Sequence, residues 1–347
     1  MNKEFHQSAV LVGAGSIGKK HLEIISGKFN SITVIDSDVA IYKYLSNLPY
    51  FSRINYLSNI TQLKSQSQIN LAVISNWGPD HYDVFFKLAK IGVKNFIIEK
   101  PLTDCFYELN EMQQLIDSMN LTVKTNLPIL YSKVPRMLLD FEKTYGIGRP
   151  QSMIVYGGAK CIATIGIHYV ALANYLYNNR PSAVSAVLRS HKINPRNNRL
   201  VYLEGSAQWV YPHDQYLSIN FSNTSQLDFK CAILYGNAEI VIHNQNLVLN
   251  KISSQDLLLL DKPTKTSSAS ETILDISVNS HEDFMGSLHS IYESFTETEP
   301  SVDDQWGFAA TYDLLSALTA NELRRVIRLP IGKNSIKAYY QKKWGIS

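Results

Sequence analysis

The chain has 347 residues, with 33 Lys and Arg against 30 Asp and Glu, a net charge of +3 at neutral pH and 45% hydrophobic residues. These values exclude a disordered chain, which would be poor in apolar residues and high in net charge. So small and evenly spread a charge gives no support to a nucleic-acid partner, and the length suits about two domains, each with its own core.

The opening residues, MNKEFHQSAVLVGAGSIG, show no cleavable secretory pattern, and their apolar stretch is broken by glycines. No run elsewhere reads as a membrane span. Cys105, Cys161 and Cys231 are odd in number and lack metal-type spacing. They predict buried thiols in a reducing compartment, no metal site and a cytoplasmic location.

Ala9–Val12, Ile32–Ile35, Leu71–Ser75, Asn95–Ile98 and Leu121–Thr125 are short, rich in Val and Ile, and bounded by turn residues. They predict buried parallel strands. Between them, Asp80–Ile91 and Asp104–Met119 carry apolar residues at helical spacing, with Thr103 placed to cap the second helix. The alternation predicts a doubly wound α/β sheet over residues 1–126. Residues 132–145 and 165–178 read as helices. From Ala183 the pattern turns strand-like, clearest at Leu217, Ile219 and Phe221 and again at Leu227 and Phe229, with further strands at Ile233–Leu234, Glu239–Ile242 and Leu247–Leu249. Residues 127–347 are therefore expected to form an α+β domain with a large, mostly antiparallel sheet. Residues 262–271, rich in Ser and Thr, read as a surface loop, and Trp306–Ile327 as a closing helix.

Gly13-Ala14-Gly15-Ser16-Ile17-Gly18 fits G-x-G-x-x-G between a predicted strand and a predicted helix. In that setting the first glycine permits a tight turn, the second a close approach to a pyrophosphate, and the third close helix–strand packing. The first helical N–H groups, from Ser16 and Ile17 on, then face the phosphates. The second strand, Ser31–Ile35, ends in Asp36, whose carboxylate can accept from both adenosine ribose hydroxyls and would repel a 2′-phosphate. No Arg follows it. NAD(H) is expected over NADP(H), and FAD lacks a second signature.

Three further segments carry a family resemblance. His21 extends the motif to G-x-G-x-x-G-x-x-H, Val73–His81 reads VISNWGPDH, and Glu99-Lys100-Pro101 follows a strand and precedes a helix. Together they resemble the glucose–fructose oxidoreductase / inositol dehydrogenase / rhizopine catabolism family. The resemblance implies that Asn76 and His81 lie beside the nicotinamide ribose, and that Lys100 stands between nicotinamide and substrate to polarise the reacting oxygen. Glu99 would pair with a cation or cofactor group, and Asn126 would border the substrate. The family's D-x-x-x-H is Thr164-Ile165-Gly166-Ile167-His168 here. His168 would be the acid/base, and Thr164, in place of the aspartate, could reach a substrate hydroxyl but hold no negative charge. Tyr156, Lys160, Tyr169 and His213 are weaker pocket candidates.

The resemblance implies an NAD(P)-dependent dehydrogenase or ketoreductase acting on a sugar, polyol or nucleotide-linked sugar, the last in polysaccharide synthesis. Two alternatives stay open: a redox-neutral sugar-modifying enzyme that retains its NAD, and a non-catalytic NAD(H)-binding regulator. The resemblance also implies a homodimer or homotetramer, since the family's strand-rich second domains associate through sheet faces that would otherwise meet water.

Overall fold

Ala9, Val10 and Leu11 are almost inaccessible to solvent, and they begin the first sheet of a computed structural model. It describes residues 7–63, 68–158, 160–191, 201–243, 246–252, 270–277, 280–295, 305–332 and 337–346. Two compact units emerge. One comprises residues 1–127, 291–311 and 337–347, and the other residues 128–290 and 312–336. Two late stretches of the chain thus return to the unit begun by its N-terminus.

The first unit runs β1 (Ser8–Val12), α1 (Ser16–Lys28), β2 (Ser31–Ile35), α2 (Val39–Ser46), β3 (Ile54–Leu57), β4 (Leu71–Ile74), α3 (His81–Lys90), β5 (Asn95–Glu99), α4 (Phe106–Met119) and β6 (Thr122–Asn126). The six strands are parallel in the order β3-β2-β1-β4-β5-β6. Every residue of β4 is buried, as a parallel strand covered on both faces requires. This order joins two mononucleotide-binding halves and leaves a crevice at the carboxyl ends of the strands where it reverses, between β1 and β4. Thr103 does not cap α4. The helix starts at Phe106 after Cys105, which makes no side-chain cap, and the Thr103 hydroxyl donates instead to Glu108 Oε2 at 2.5 Å.

The second unit begins with α5 (Pro128–Tyr131), α6 (Val134–Thr144) and β7 (Ser152–Gly158), then a π-turn over Ile162–Gly166 and α7 (Ile167–Tyr177). There follow β8 (Ala183–His191), β9 (Tyr202–Tyr211), β10 (Gln215–Ser222), β11 (Lys230–Leu234), β12 (Ala238–His243), β13 (Asn246–Ile252) and β14 (Ser270–Ser277). Helices α8 (Ser280–Glu293) and α9 (Gln305–Leu323), the short β15 (Ile327–Arg328) and α10 (Lys337–Tyr340) complete the chain. The nine described strands form one sheet in the order β14-β13-β12-β11-β7-β10-β9-β8-β15, antiparallel except for the β7–β10 pair. Leu217, Ile219 and Phe221 of β10 point into the core with Trp209 and Tyr211 of β9. Val187, Ser206, Asn220 and Tyr156, paired in register across β8, β9, β10 and β7, lie on the opposite, exposed face.

Two expectations are corrected here. Leu227 and Phe229 are not in a strand, and Leu227 is 78% exposed. Their backbone instead crosses the end of β7, where Gly158 N–H donates to Leu227 O at 3.0 Å. A Cβ on Gly157 or Gly158 would strike that connection. The loop expected over residues 262–271 lies outside the described residues up to 269, while Ser270 and Glu271 open β14. The closing helix is α9, and the three cysteines are buried and unbridged. No helix among the described residues is long and apolar enough to cross a membrane.

A buried polar knot ties the second unit together. Asp313 accepts from Asn174 at 2.9 Å and from Arg180 at 2.8 Å, Asn174 accepts from the Tyr211 hydroxyl at 2.7 Å, and Trp209 Nε1 donates to the Asp313 carbonyl.

Glu142 on α6 is less well provided for. Its Oε1 is buried without a hydrogen bond among the described residues. Burial pushes its carboxyl up to about 7, against the pull of Arg149 and Lys143. A carboxyl raised on folding binds protons that the unfolded chain has released, so stability falls as pH rises from the ordinary carboxylate value to about 7. Glu142→Gln is therefore expected to be more stable than wild type at pH 8, by about 1 kcal/mol after discounting for partial exposure, and to match it at pH 4. Urea denaturation at both pH values checks this. Equal wild-type and variant stability at pH 8 would refute it.

Candidate functional site

The glycine turn between β1 and α1 separates its three glycines by role. Gly13 has φ +87, which favours glycine, and a Cβ there would lie 2.5 Å from Asn76 N. A Cβ on Gly18 would lie 2.0 Å from Gly13 O. Both positions are closed by the protein's own backbone. Gly15 differs, since a Cβ there would meet nothing within 4 Å. Gly15 and Ser16 are exposed, Ile17 is half-buried, and Gly15 starts α1 with no side-chain cap and no acidic residue in the first turn. The N–H groups of that turn are thus left for an anion.

Asp36 at the end of β2 borders the same opening. Its Oδ2 accepts from Ala14 N at 2.6 Å and its Oδ1 from Asp38 N at 2.9 Å. Each carboxylate oxygen has a second lone pair, so the group can still take ribose hydroxyls. Asn76, after β4, holds Oδ1 buried without a hydrogen bond among the described residues. An open glycine, uncapped helical N–H groups, a strand-end carboxylate and an orphaned amide oxygen fit a dinucleotide laid across the crevice.

His81 sits differently from expectation. Its ring is buried, with Nδ1 2.9 Å from Pro101 O and Nε2 3.2 Å from Asn76 O. Burial pushes its pKa below the ordinary imidazole value, against those two carbonyls. It is therefore a buried ring between the loops after β4 and β5, and in its neutral form its single N–H can donate to only one of the two carbonyls.

Glu99 ends β5, Lys100 follows it, and the Lys100–Pro101 peptide is cis. Lys100 is half-buried. Glu99 is buried and pairs in register with Asn126 of β6, whose amide donates to Glu99 Oε1. His21 Nε2 lies 3.3 Å from the same oxygen, and His21 Nδ1 lies 2.6 Å from the Tyr292 hydroxyl. A ring proton on Nε2 points at Glu99 Oε1. Burial alone would raise the Glu99 carboxyl. The hydrogen bond and charge of His21, the charge of Lys100 and the Asn126 amide outweigh it and hold the carboxyl below its usual range. Glu99 is thus an ionised, fixed anchor directly before Lys100. Asn126 Oδ1 and Thr125 Oγ1 are buried without hydrogen bonds among the described residues.

Thr164 and His168 belong to the second unit. The π-turn places Thr164 before α7 proper, with Thr164, Ile165 and Gly166 N–H groups converging on Cys161 O. The Thr164 hydroxyl also donates to that carbonyl, at 3.4 Å. Single π-turns recur at functional sites. α7 is buried almost all round, and His168 and Tyr175 are its two half-exposed residues. Of the weaker candidates, Tyr169 is buried against Phe229, and Lys160 pairs with Asp228 at 3.2 Å. Tyr156 lies on the open sheet face, and His213 is in a turn at φ 62.

Residues 8–127 match the model of the Gfo/Idh/MocA oxidoreductase family, described as having an NAD-binding Rossmann fold. Over these residues the chain is similar to that family. No curated protein sequence matches the chain. Solved structures of similar fold include the Gal80p super-repressor mutant of Saccharomyces cerevisiae, at 14% identity and TM-score 0.71 over 93% of this chain and 97% of that one. An oxidoreductase of Agrobacterium radiobacter, solved with NAD+, L-tartaric acid and magnesium, gives 13% and 0.71 over 93% and 98%. Myo-inositol 2-dehydrogenase of Lactobacillus plantarum gives 14% and 0.69 over 93% and 99%. At these identities the likeness is one of fold.

The matched segment contains the glycine turn, Asp36, Asn76, His81, Glu99, Lys100 and Asn126, all at the carboxyl ends of strands, in the loops that follow them or, for His81, at the start of the next helix. Tyr292 joins them from 271 residues away. No local sequence pattern marks it, because its role depends on a late stretch of chain returning to the first unit.

Proposed function

We propose that this protein is an NAD(H)-dependent oxidoreductase that moves hydride to or from a carbon of a sugar, polyol or nucleotide-linked sugar. The observation that carries the reading is Glu99-Lys100-Pro101, held at the carboxyl end of β5 in a unit that also has the open glycine turn. The N–H groups after Gly15 hold the pyrophosphate, and Asp36 takes the adenosine ribose hydroxyls and disfavours a 2′-phosphate, so NAD(H) is preferred. Bound NAD(H) supplies the hydride acceptor or donor. Lys100 donates to the reacting oxygen and stabilises its negative charge. His168 takes the hydroxyl proton in oxidation and returns it in reduction. Thr164 offers a hydroxyl to the substrate in place of a carboxylate. Association into a dimer or tetramer and a cytoplasmic location belong to the same reading.

A second reading is a non-catalytic NAD(H)-binding regulator. Thr164 favours it, since His168 lacks the neighbouring carboxylate that would stabilise its protonated form, and so does the name of a super-repressor mutant among proteins of this fold. NAD(H)-coupled absorbance against polyols, sugars and nucleotide sugars separates the two. Turnover is expected with at least one compound, and His168→Ala should lower that kcat by roughly two orders of magnitude. Tight NADH binding without turnover on any compound would replace the first reading by the second.

A further inference from the structure

The C-terminal segment packs against the turn after β4 and the start of α4 after β5, beside the half of the first sheet built from β4, β5 and β6. Cys105 Sγ donates to Tyr340 O at 3.4 Å, Trp344 N to Asp104 O at 3.2 Å, and Gly345 N to Asp104 Oδ2 at 2.6 Å. Ile346 is fully buried. At the centre stands Lys343. Its Nζ donates to Pro79 O at 2.8 Å, in the turn between Asn76 and His81. It also lies 2.5 Å from Glu108 Oε1 and 3.4 Å from Asp104 Oδ1, both just beyond the Glu99-Lys100-Pro101 segment.

Exposed ion pairs contribute little. Here the ammonium is 44% exposed, but the Asp104 and Glu108 side chains are only 0% and 11% exposed. Two carboxylates that close to burial need a cation, and removing it leaves them uncompensated. The ammonium keeps its proton more firmly than an ordinary lysine. Burial works against this, but the Glu108 and Asp104 carboxylates outweigh it. The loops it joins are the same two that border the buried His81 ring, whose nitrogens lie 3.2 Å from Asn76 O and 2.9 Å from Pro101 O.

We propose that Lys343 is a positioning residue of the nicotinamide half-site. By tying Pro79 to Asp104 and Glu108 it fixes the spacing of the loops that carry Asn76 and Lys100. The inference rests on the reading that the crevice binds NAD(H). The adenosine half, Gly13–Gly18 and Asp36, lies on the other side of the strand-order reversal, and the Lys343 contacts described here go to Pro79, Asp104 and Glu108.

The test compares NADH with ADP-ribose, which lacks the nicotinamide. Dissociation constants for both are measured by titration calorimetry on the full chain as wild type, Lys343→Met and Lys343→Arg. Lys343→Met should weaken NADH roughly tenfold and leave ADP-ribose within about twofold, and Lys343→Arg should recover most of the loss through its own charged hydrogen bonds. Equal NADH affinity in wild type and Lys343→Met overturns the proposal. So does an equal loss of both ligands, which marks general damage. If Lys343→Met does not fold, Lys343→Met combined with Glu108→Gln removes the charge imbalance and is read the same way. A wild-type protein that binds neither ligand overturns the NAD(H) reading itself.

Discussion

Replacing Lys100 by alanine should lower kcat by roughly two to four orders of magnitude while leaving the NADH dissociation constant within about threefold. Lys100 follows Glu99, which His21 and Asn126 hold in place, His21 being itself hydrogen-bonded to Tyr292. Such support is what a group needs if its donor must meet a developing oxyanion without reorganising. An interaction made mainly in the transition state shows in kcat and kcat/KM alike, and little in ground-state binding. Lys100→Arg is expected to recover little, because the wider guanidinium cannot place a single donor at the same point. Steady-state kinetics with the best compound from the substrate panel, together with direct NADH titration, provide the check. An unchanged kcat in Lys100→Ala would remove the lysine from the chemistry.

The second large effect is a contrast between two alanines in one motif. Gly18→Ala should destabilise the first unit by more than about 3 kcal/mol, since its methyl would sit 2.0 Å from a backbone oxygen that cannot move aside. Gly15→Ala should fold like wild type, because its φ of −66 suits any residue and nothing of the protein lies within 4 Å of the new methyl. It should nonetheless weaken NADH by roughly a hundredfold, because the methyl stands where the backbone must approach the pyrophosphate. Urea denaturation and NADH titration read the two effects separately. Wild-type affinity in Gly15→Ala would show that the turn is a packing device only.

How much of this was legible in the sequence follows from which interactions are local. β1, β2, β4 and β5 announce themselves because the middle of a strand buried on both faces is apolar, whereas β6, Thr122–Asn126, is buried but mostly polar and shows only by its place in the alternation. β3 does not, since Ile54-Asn55-Tyr56-Leu57 is an edge strand with no fully buried residue. β7 ends in Gly157 and Gly158, poor strand formers that are needed because a distant loop lies on them. The alternation at Leu227 and Phe229 misleads for the same reason, since those residues belong to that loop. The glycine motif, Asp36 and the Glu99–Pro101 segment are contiguous and carry their chemistry in their spacing. Tyr292 and Lys343 do not, because each acts on residues more than two hundred positions earlier. Thr103 looks like a cap by position, yet its hydroxyl has a nearby carboxylate to serve.

The parallel pairing of β7 with β10 bears on how the second sheet is assembled. β7 is finished at Gly158, but its partners on either side, β10 and β11, begin at Gln215 and Lys230. At ordinary ribosomal speed that interval lasts on the order of several seconds. Throughout it, Met153, Ile154 and Val155 form a nascent edge with no companion, and closing so wide a contact is entropically slow. Aggregation during synthesis should therefore begin at β7, and chaperone dependence should fall if that strand is shielded until β10 arrives.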